Sequence, residues 1–99
     1  MTIDESRSDD KLQLNIHGKI DAIASPELQN EVLKAFQKCP HVILNFQDVS
    51  YISSAGLRAL LIGQKTADSK GGKFLIINVS DAVMEVLRVT GLQKVLNVQ

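Results

Sequence analysis

Two short apolar runs, residues 42–46 (VILNF) and 73–79 (KFLIINV), flank a segment whose apolar residues recur at helical spacing. That change of period, from strand to helix to strand, limits the fold of this chain more than any other feature. Pro40 and Gln47-Asp48 bound the first run, and Gly71-Gly72 precedes the second. Between them, Ser53-Ser54-Ala55-Gly56 leads into Leu57, Leu60 and Leu61, then Gln64 and Lys65. The pattern predicts a helix opened by a serine cap and closed near residues 70–72. Ser25-Pro26-Glu27 predicts another start. There Ser25 caps, Pro26 takes the first helical position where its missing N–H costs nothing, and Glu27 faces the positive helix end. Leu28, Val32, Ala35 and Phe36 then share one face, and Pro40 stops the helix. Ser80-Asp81 predicts a third helix carrying Val83, Met84 and Leu87, with Gly91 as its left-handed terminal residue.

Nearer the N-terminus, Leu12, Leu14 and Ile16 alternate with Gln13, Asn15 and His17, a strand with one wet face, closed by Gly18. Residues 3–8 form a weaker edge strand paired with it across an Asp9-Asp10 turn, and residues 95–98 a last short strand. The order predicts one α/β domain over residues 1–99. Its sheet is mixed and mostly parallel, with four to five strands, three to four helices and right-handed crossovers. The first hairpin supplies the antiparallel part.

Ninety-nine residues leave room for one modest core. Eleven Lys and Arg balance eleven Asp and Glu, so no basic excess addresses a nucleic acid. No apolar stretch approaches the roughly 20 residues that span a bilayer. Residues 1–10 are polar, unlike a secretory signal. A cytoplasmic location without membrane insertion is therefore expected. Cys39 has no partner for an internal disulfide and reads as a small buried hydrophobe. His17, His41 and Cys39 are far apart for a metal site, and no nucleophile–base motif surrounds either histidine. Gly71-Gly72-Lys73 is too short for a phosphate-binding loop and precedes a strand. No enzymatic activity and no cofactor are expected.

Residues 48–57 are not accounted for by core and caps alone. Ser50, Ser53 and Ser54, the single tyrosine Tyr51, Ile52 and the small pair Ala55-Gly56 gather at a helix N-terminus. This is also the carboxyl end of a strand, where ligands and partners meet an open sheet. Ser53 or Ser54 caps the helix, and Ala55 and Gly56 let it approach the sheet. A helix N-terminus also accommodates an anion. A phosphoserine there brings about −1.5 to −2 charges, enough to repel a partner without unfolding its own domain. Asp48 and Ser50 fit an Asx-type turn. Alternation buries one of Tyr51 and Ile52 and exposes the other as a contact anchor. Arg58 pairs with an acidic partner or a phosphate, or is simply solvated. Asp21 bonds local N–H groups or shapes a docking surface.

The ordered set of motifs resembles a STAS domain of the anti-sigma factor antagonist type. It runs through Gly18-Lys19-Ile20-Asp21 and Ala24-Ser25-Pro26-Glu27-Leu28 to Leu44-Asn45-Phe46-Gln47-Asp48-Val49-Ser50. Tyr51-Ile52-Ser53-Ser54-Ala55-Gly56-Leu57-Arg58, Gly72-Lys73, Asn78-Val79-Ser80, Val86-Leu87 and Thr90-Gly91-Leu92 complete it. The family loop commonly reads Asp-Ser-Ser-Gly or Asp-Ser-Thr-Gly. The resemblance thus implies that Ser54 is the phosphoacceptor, with Ser53 in place of the family carboxylate. It implies a contact surface of Asp21, Tyr51, Ile52, Ser53, Ala55, Gly56 and Arg58. Its implied partner is an anti-sigma factor serine kinase of the histidine-kinase-like ATPase fold, which brings ATP and magnesium. Binding frees the sigma factor, phosphorylation of Ser54 ends the complex, and a PP2C-type phosphatase resets it. The resemblance implies a free chain that is a monomer, as is usual in this family. Another STAS system, such as a cytoplasmic component of an ABC-type lipid transporter or a non-sigma signalling or secretion regulator, is the alternative.

Overall fold

Leu12, Leu14 and Ile16 turn to one side of their strand and are at most 1% exposed, while Gln13, Asn15 and His17 line the other side. The computed structural model describes all 99 residues. In chain order the elements are β1 (Thr2–Ser8), β2 (Lys11–Ile20), α1 (Ser25–Lys38), β3 (His41–Ile52), α2 (Ser54–Lys70), β4 (Lys73–Ile77), α3 (Asp81–Val89) and β5 (Asn97–Val98). A 3₁₀ turn, Leu92–Lys94, precedes β5. The five strands lie in sequence order in one sheet. β1 pairs antiparallel with β2, and the later pairs are parallel.

Each helix connects neighbouring parallel strands. Right-handed crossovers between neighbours put successive helices on the same face of a sheet. The core agrees: Leu28, Val32 and Phe36 of α1, Leu57 and Leu60 of α2, and Val83 and Leu87 of α3 join the strand residues in one buried cluster. Phe36 and Phe74 meet there with ring centroids 5.9 Å apart. Leu61 and Met84, expected in that core, are only half-buried. The other face carries no helix. Asn15 Oδ1 accepts from Gln13 Nε2 at 2.8 Å and from Asn45 Nδ2 at 3.0 Å. Asn78 Nδ2 in turn donates to Asn45 Oδ1 at 3.0 Å.

Several boundaries differ from expectation. Gly18 does not close β2, which continues to Ile20. Its φ of +107°, which a side chain rarely adopts, lies within a stretch where the β2–β3 register shifts twice. β3 extends to Ile52, so Asp48 and Ser50 are strand residues and form no Asx turn. The Asp48 carboxylate reaches across to His17 instead, at 2.7 Å. β4 ends at Ile77, and Asn78 takes a left-handed φ of +57°. β5 is only two residues long because the 3₁₀ turn uses the preceding chain.

Ser25 is not the cap of α1. The N-cap is Ala24, with no side-chain cap bond. Ser25 is buried, and its hydroxyl donates to the Asp21 carbonyl at 2.6 Å. Asp21 closes this turn from both ends, since its Oδ1 accepts the Ala24 N–H at 2.8 Å. The caps of α2 and α3 are as expected: Ser53 Oγ accepts from Gly56 N and Ser80 Oγ from Val83 N. Gly91 follows α3 with φ +78°.

Candidate functional site

The site is built where the core-facing side of the sheet runs out. Ile20 and Ile52 are the last residues of β2 and β3, and they pair with each other. The Ile20 carbonyl accepts the Ser53 N–H at 2.8 Å, which fixes the chain as it leaves the sheet. Ser53 stays extended, with φ −85° and ψ 170°, the backbone of an N-cap. Its hydroxyl accepts from Gly56 N at 3.1 Å and lies 3.4 Å from Ser25 Oγ. A carbonyl can only accept, so the Ser25 proton is committed to Asp21. Ser53 is therefore the donor between the two hydroxyls. The relay Gly56–Ser53–Ser25–Asp21 ties the start of α2 to the start of α1.

With Ser53 in the cap, the Ser54 hydroxyl takes no part in it. Ser54 is the first residue of α2 and is exposed. It stands at the positive end of the helix dipole, where an added negative charge is favoured.

Gly56 explains how the helix comes so close. A Cβ on Gly56 would lie 2.7 Å from both Ile20 Cγ2 and Ile52 Cγ1, well inside contact distance. Ile52 is 4% exposed and Gly56 is buried as well. Neither is a surface contact: they form the floor on which the loop rests. Of the Tyr51–Ile52 pair, Tyr51 is the exposed member, standing beside Lys19 of β2. Ala55 is half-buried and Arg58 exposed. Together with Ala22, Pro26, Gln29 and Asn30 they line a shallow cleft of about 200 Å³ between the two helix starts. Arg58 belongs to none of the ion pairs of the chain. Asp21 is exposed, but one carboxylate oxygen is occupied by its own turn.

One residue escaped the sequence reading. Ile23 lies in the turn between Asp21 and Ser25 and is 90% exposed, more than any other large apolar side chain. Its signal was present: it belongs to no strand or helix period, so no core position awaits it. Ile23 and Tyr51 thus present apolar surface on the segments joined by the hydroxyl relay.

No group of three or more His, Cys, Asp or Glu side chains is arranged to hold a metal ion. No helix is long and apolar enough to cross a membrane. What the site offers is an exposed hydroxyl on a rigid, capped helix start, with apolar and basic groups around it.

The STAS domain family matches residues 2–99. The anti-sigma-B factor antagonist of Bacillus subtilis (strain 168) is 24% identical over 98 residues, covering 99% of this chain and 90% of that protein. The anti-sigma-B factor antagonist of Staphylococcus epidermidis is 30% identical over 100 residues, covering 99% and 92%. The fold is shared with SpoIIAA, an anti-sigma factor antagonist, in its unphosphorylated form, at a TM-score of 0.76 and 15% identity over 99% of this chain and 87% of that one. The phosphorylated form of SpoIIAA, a Bacillus cell fate determinant, also gives 0.76, at 17% identity over 99% and 91%. Motif order, sheet topology and the match over almost every residue agree, and the chain belongs to the STAS domain family, among the anti-sigma factor antagonists.

Proposed function

We propose that this chain, with Ser54 unmodified, binds an anti-sigma factor serine kinase of the histidine-kinase-like ATPase fold in the cytoplasm. Binding releases the sigma factor, and transfer of phosphate to Ser54 ends the complex. A PP2C-type phosphatase restores the hydroxyl. The chain acts as a monomer in the free state. It carries no catalytic group of its own, and the kinase supplies ATP and magnesium.

The observation that carries this reading is the division of labour between the two serines. Ser53 holds the cap, which leaves the Ser54 hydroxyl exposed and uncommitted. The hydroxyl of Ser53 makes the same bond to the helix that a family carboxylate would make. Loss of the carboxylate therefore removes a charge but not the geometry. A phosphate on Ser54 adds about two negative charges at a helix N-terminus, which tolerates them. The cost falls on the partner, which must desolvate those charges to dock. That SpoIIAA keeps the shared fold in both its forms supports a switch that works by charge, without refolding.

A pull-down with the unmodified chain identifies the kinase. Incubation with that kinase and magnesium ATP should add one phosphate, located at Ser54 by fragmentation mass spectrometry. Ser54→Ala should bind and remain unmodified, while Ser54→Asp should bind weakly or not at all. A kinase that binds the chain and leaves Ser54 untouched would end this reading. Recovery of a transporter or secretion component in its place would favour another STAS system.

A further inference from the structure

The open face of the sheet carries a second concave site, at the opposite end of β3 from Ser54. Strand register places Lys11, His41 and Lys73 side by side across β2, β3 and β4. Two residues further on, Ile43 and Leu75 are also neighbours. Their sequence neighbours Leu12, Val42 and Phe74 point into the core, so by strand alternation these five side chains face away from the helices. They line a cleft of about 460 Å³ that Asn97 also borders. A smaller one of about 130 Å³ shares Lys11 and Ile43 and continues toward β1. The larger volume lies within the roughly 300–1,000 Å³ typical of small-molecule sites.

The charge here is unbalanced, although the chain as a whole is neutral. Two lysines, Lys11 and Lys73, stand with one acidic side chain, Asp10, whose carboxylate lies 3.4 Å from His41 Nε2. Lys11 and Lys73 enter none of the ion pairs of the chain. His41 is committed elsewhere: its Nε2 faces Asp10 and its Nδ1 is covered by protein, so the two lysines are the groups free to meet a ligand. The two lysines thus complement an anion, and the half-buried Ile43 and Leu75 beside them complement an apolar body.

We infer that this cleft binds a small amphipathic anion, its acidic head held by Lys11 and Lys73 and its apolar tail lying on Ile43 and Leu75. The row opens β3, whereas Ser54 lies two residues past the end of that strand. Ligand and docking partner therefore occupy separate ends of the sheet, and the inference does not rest on the phosphorylation switch.

The test is an amide NMR titration of the full chain with decanoate below its micelle concentration, with decanol and inorganic phosphate as parallel probes. Decanoate should shift the amides of Ile43, Leu75 and Asn97 saturably and leave those of residues 53–56 in place. Decanol lacks the head and phosphate the tail, and each should bind about tenfold more weakly. The double variant Lys11→Gln/Lys73→Gln should lose about tenfold in decanoate affinity, with an unchanged thermal midpoint because both side chains are exposed. Shifts that fail to saturate or that map elsewhere, equal binding of decanol, equal binding of phosphate, or full decanoate affinity in the double variant would each overturn the inference.

Discussion

The two faces of the sheet are held by different physics. On the covered face Leu14, Leu44 and Ile76 lie in one row across three strands, each at most 1% exposed. Beside them on the open face, Asn15 and Asn45 share a hydrogen bond across the same strand pair. The covered face stabilises through area removed from water, which has little directional preference. The open face contributes directed bonds that fit only one alignment of strands. A slip of β2 by one residue would carry Asn15 into the core and Leu14 into water. Area sets how stable the sheet is, and the asparagine ladder helps set its register. The loop from Ser53 to Gly56 grows from the last residues of the covered face, so its placement inherits the packing of Ile20 and Ile52.

The largest effect should come from the covered face. Leu44→Ala should lower the unfolding free energy by about 2–5 kcal/mol, measured by urea denaturation. Asn45→Ala, one residue away, leaves the Asn78 amide and the Gln47 N–H without their acceptor, and should cost about 1–2 kcal/mol. Equal losses at the two positions would break the contrast between the faces.

An effect below that of Leu44→Ala, with a sharper functional consequence, is expected where the covered face ends. Gly56→Ala places a methyl 2.7 Å from Ile20 and Ile52, and should cost about 1–3 kcal/mol as α2 lifts. The chain should remain folded at ambient temperature while affinity for its anti-sigma partner falls by more than the loss of stability explains. A Gly56→Ala chain with full partner affinity would mean that the height of the helix start is irrelevant to docking.

These positions also show what was legible in the sequence. Helical spacing located all three helices, and the caps at Ser53 and Ser80 followed from local chemistry. Ser25 looked the same in sequence but is buried inside the first turn. What decides its role is the Asp21 turn, whose carbonyl takes the Ser25 N–H at 3.0 Å and its hydroxyl as well. Alternation required one of Tyr51 and Ile52 to be buried without saying which. The answer depends on register shifts between β2 and β3, a property of the pair and not of either strand alone. Asp48 was misread for the same reason. Its partner His17 lies 31 positions away, and nothing near Asp48 in the chain announces it. Ile23 had a local signal, an apolar residue outside any period, that was not used.

The smallest expected effect belongs to His17, which clamps three strands on the open face. Its Nε2 lies 2.9 Å from Asp4 Oδ2 on β1, and its Nδ1 2.7 Å from Asp48 Oδ2 on β3. Two carboxylates are satisfied together only by the doubly protonated ring. The hydrogen bond to Asp4, then that to Asp48, accordingly raises the His17 pKa above its ordinary 6.5. Asp4 is lowered from 3.8, first by the Asn15 amide and then by His17. A raised histidine stabilises fully below its unfolded value and loses that contribution as pH climbs through the folded one. A lowered carboxylate stabilises above its unfolded value and loses it as pH drops through the folded one. The two contributions therefore coincide between 3.8 and 6.5; that of His17 fades on the alkaline side as the ring deprotonates, and that of Asp4 on the acid side as the carboxylate protonates. The thermal midpoint of the wild type should exceed that of His17→Gln most in mildly acidic buffer, and the gap should narrow above neutrality. Added salt should shrink the gap further, because the groups are substantially exposed to solvent. Leu44→Ala, which rests on area, should show neither dependence. A pH-independent gap for His17→Gln would place the clamp among the packing contacts and erase the distinction between the two faces at this position.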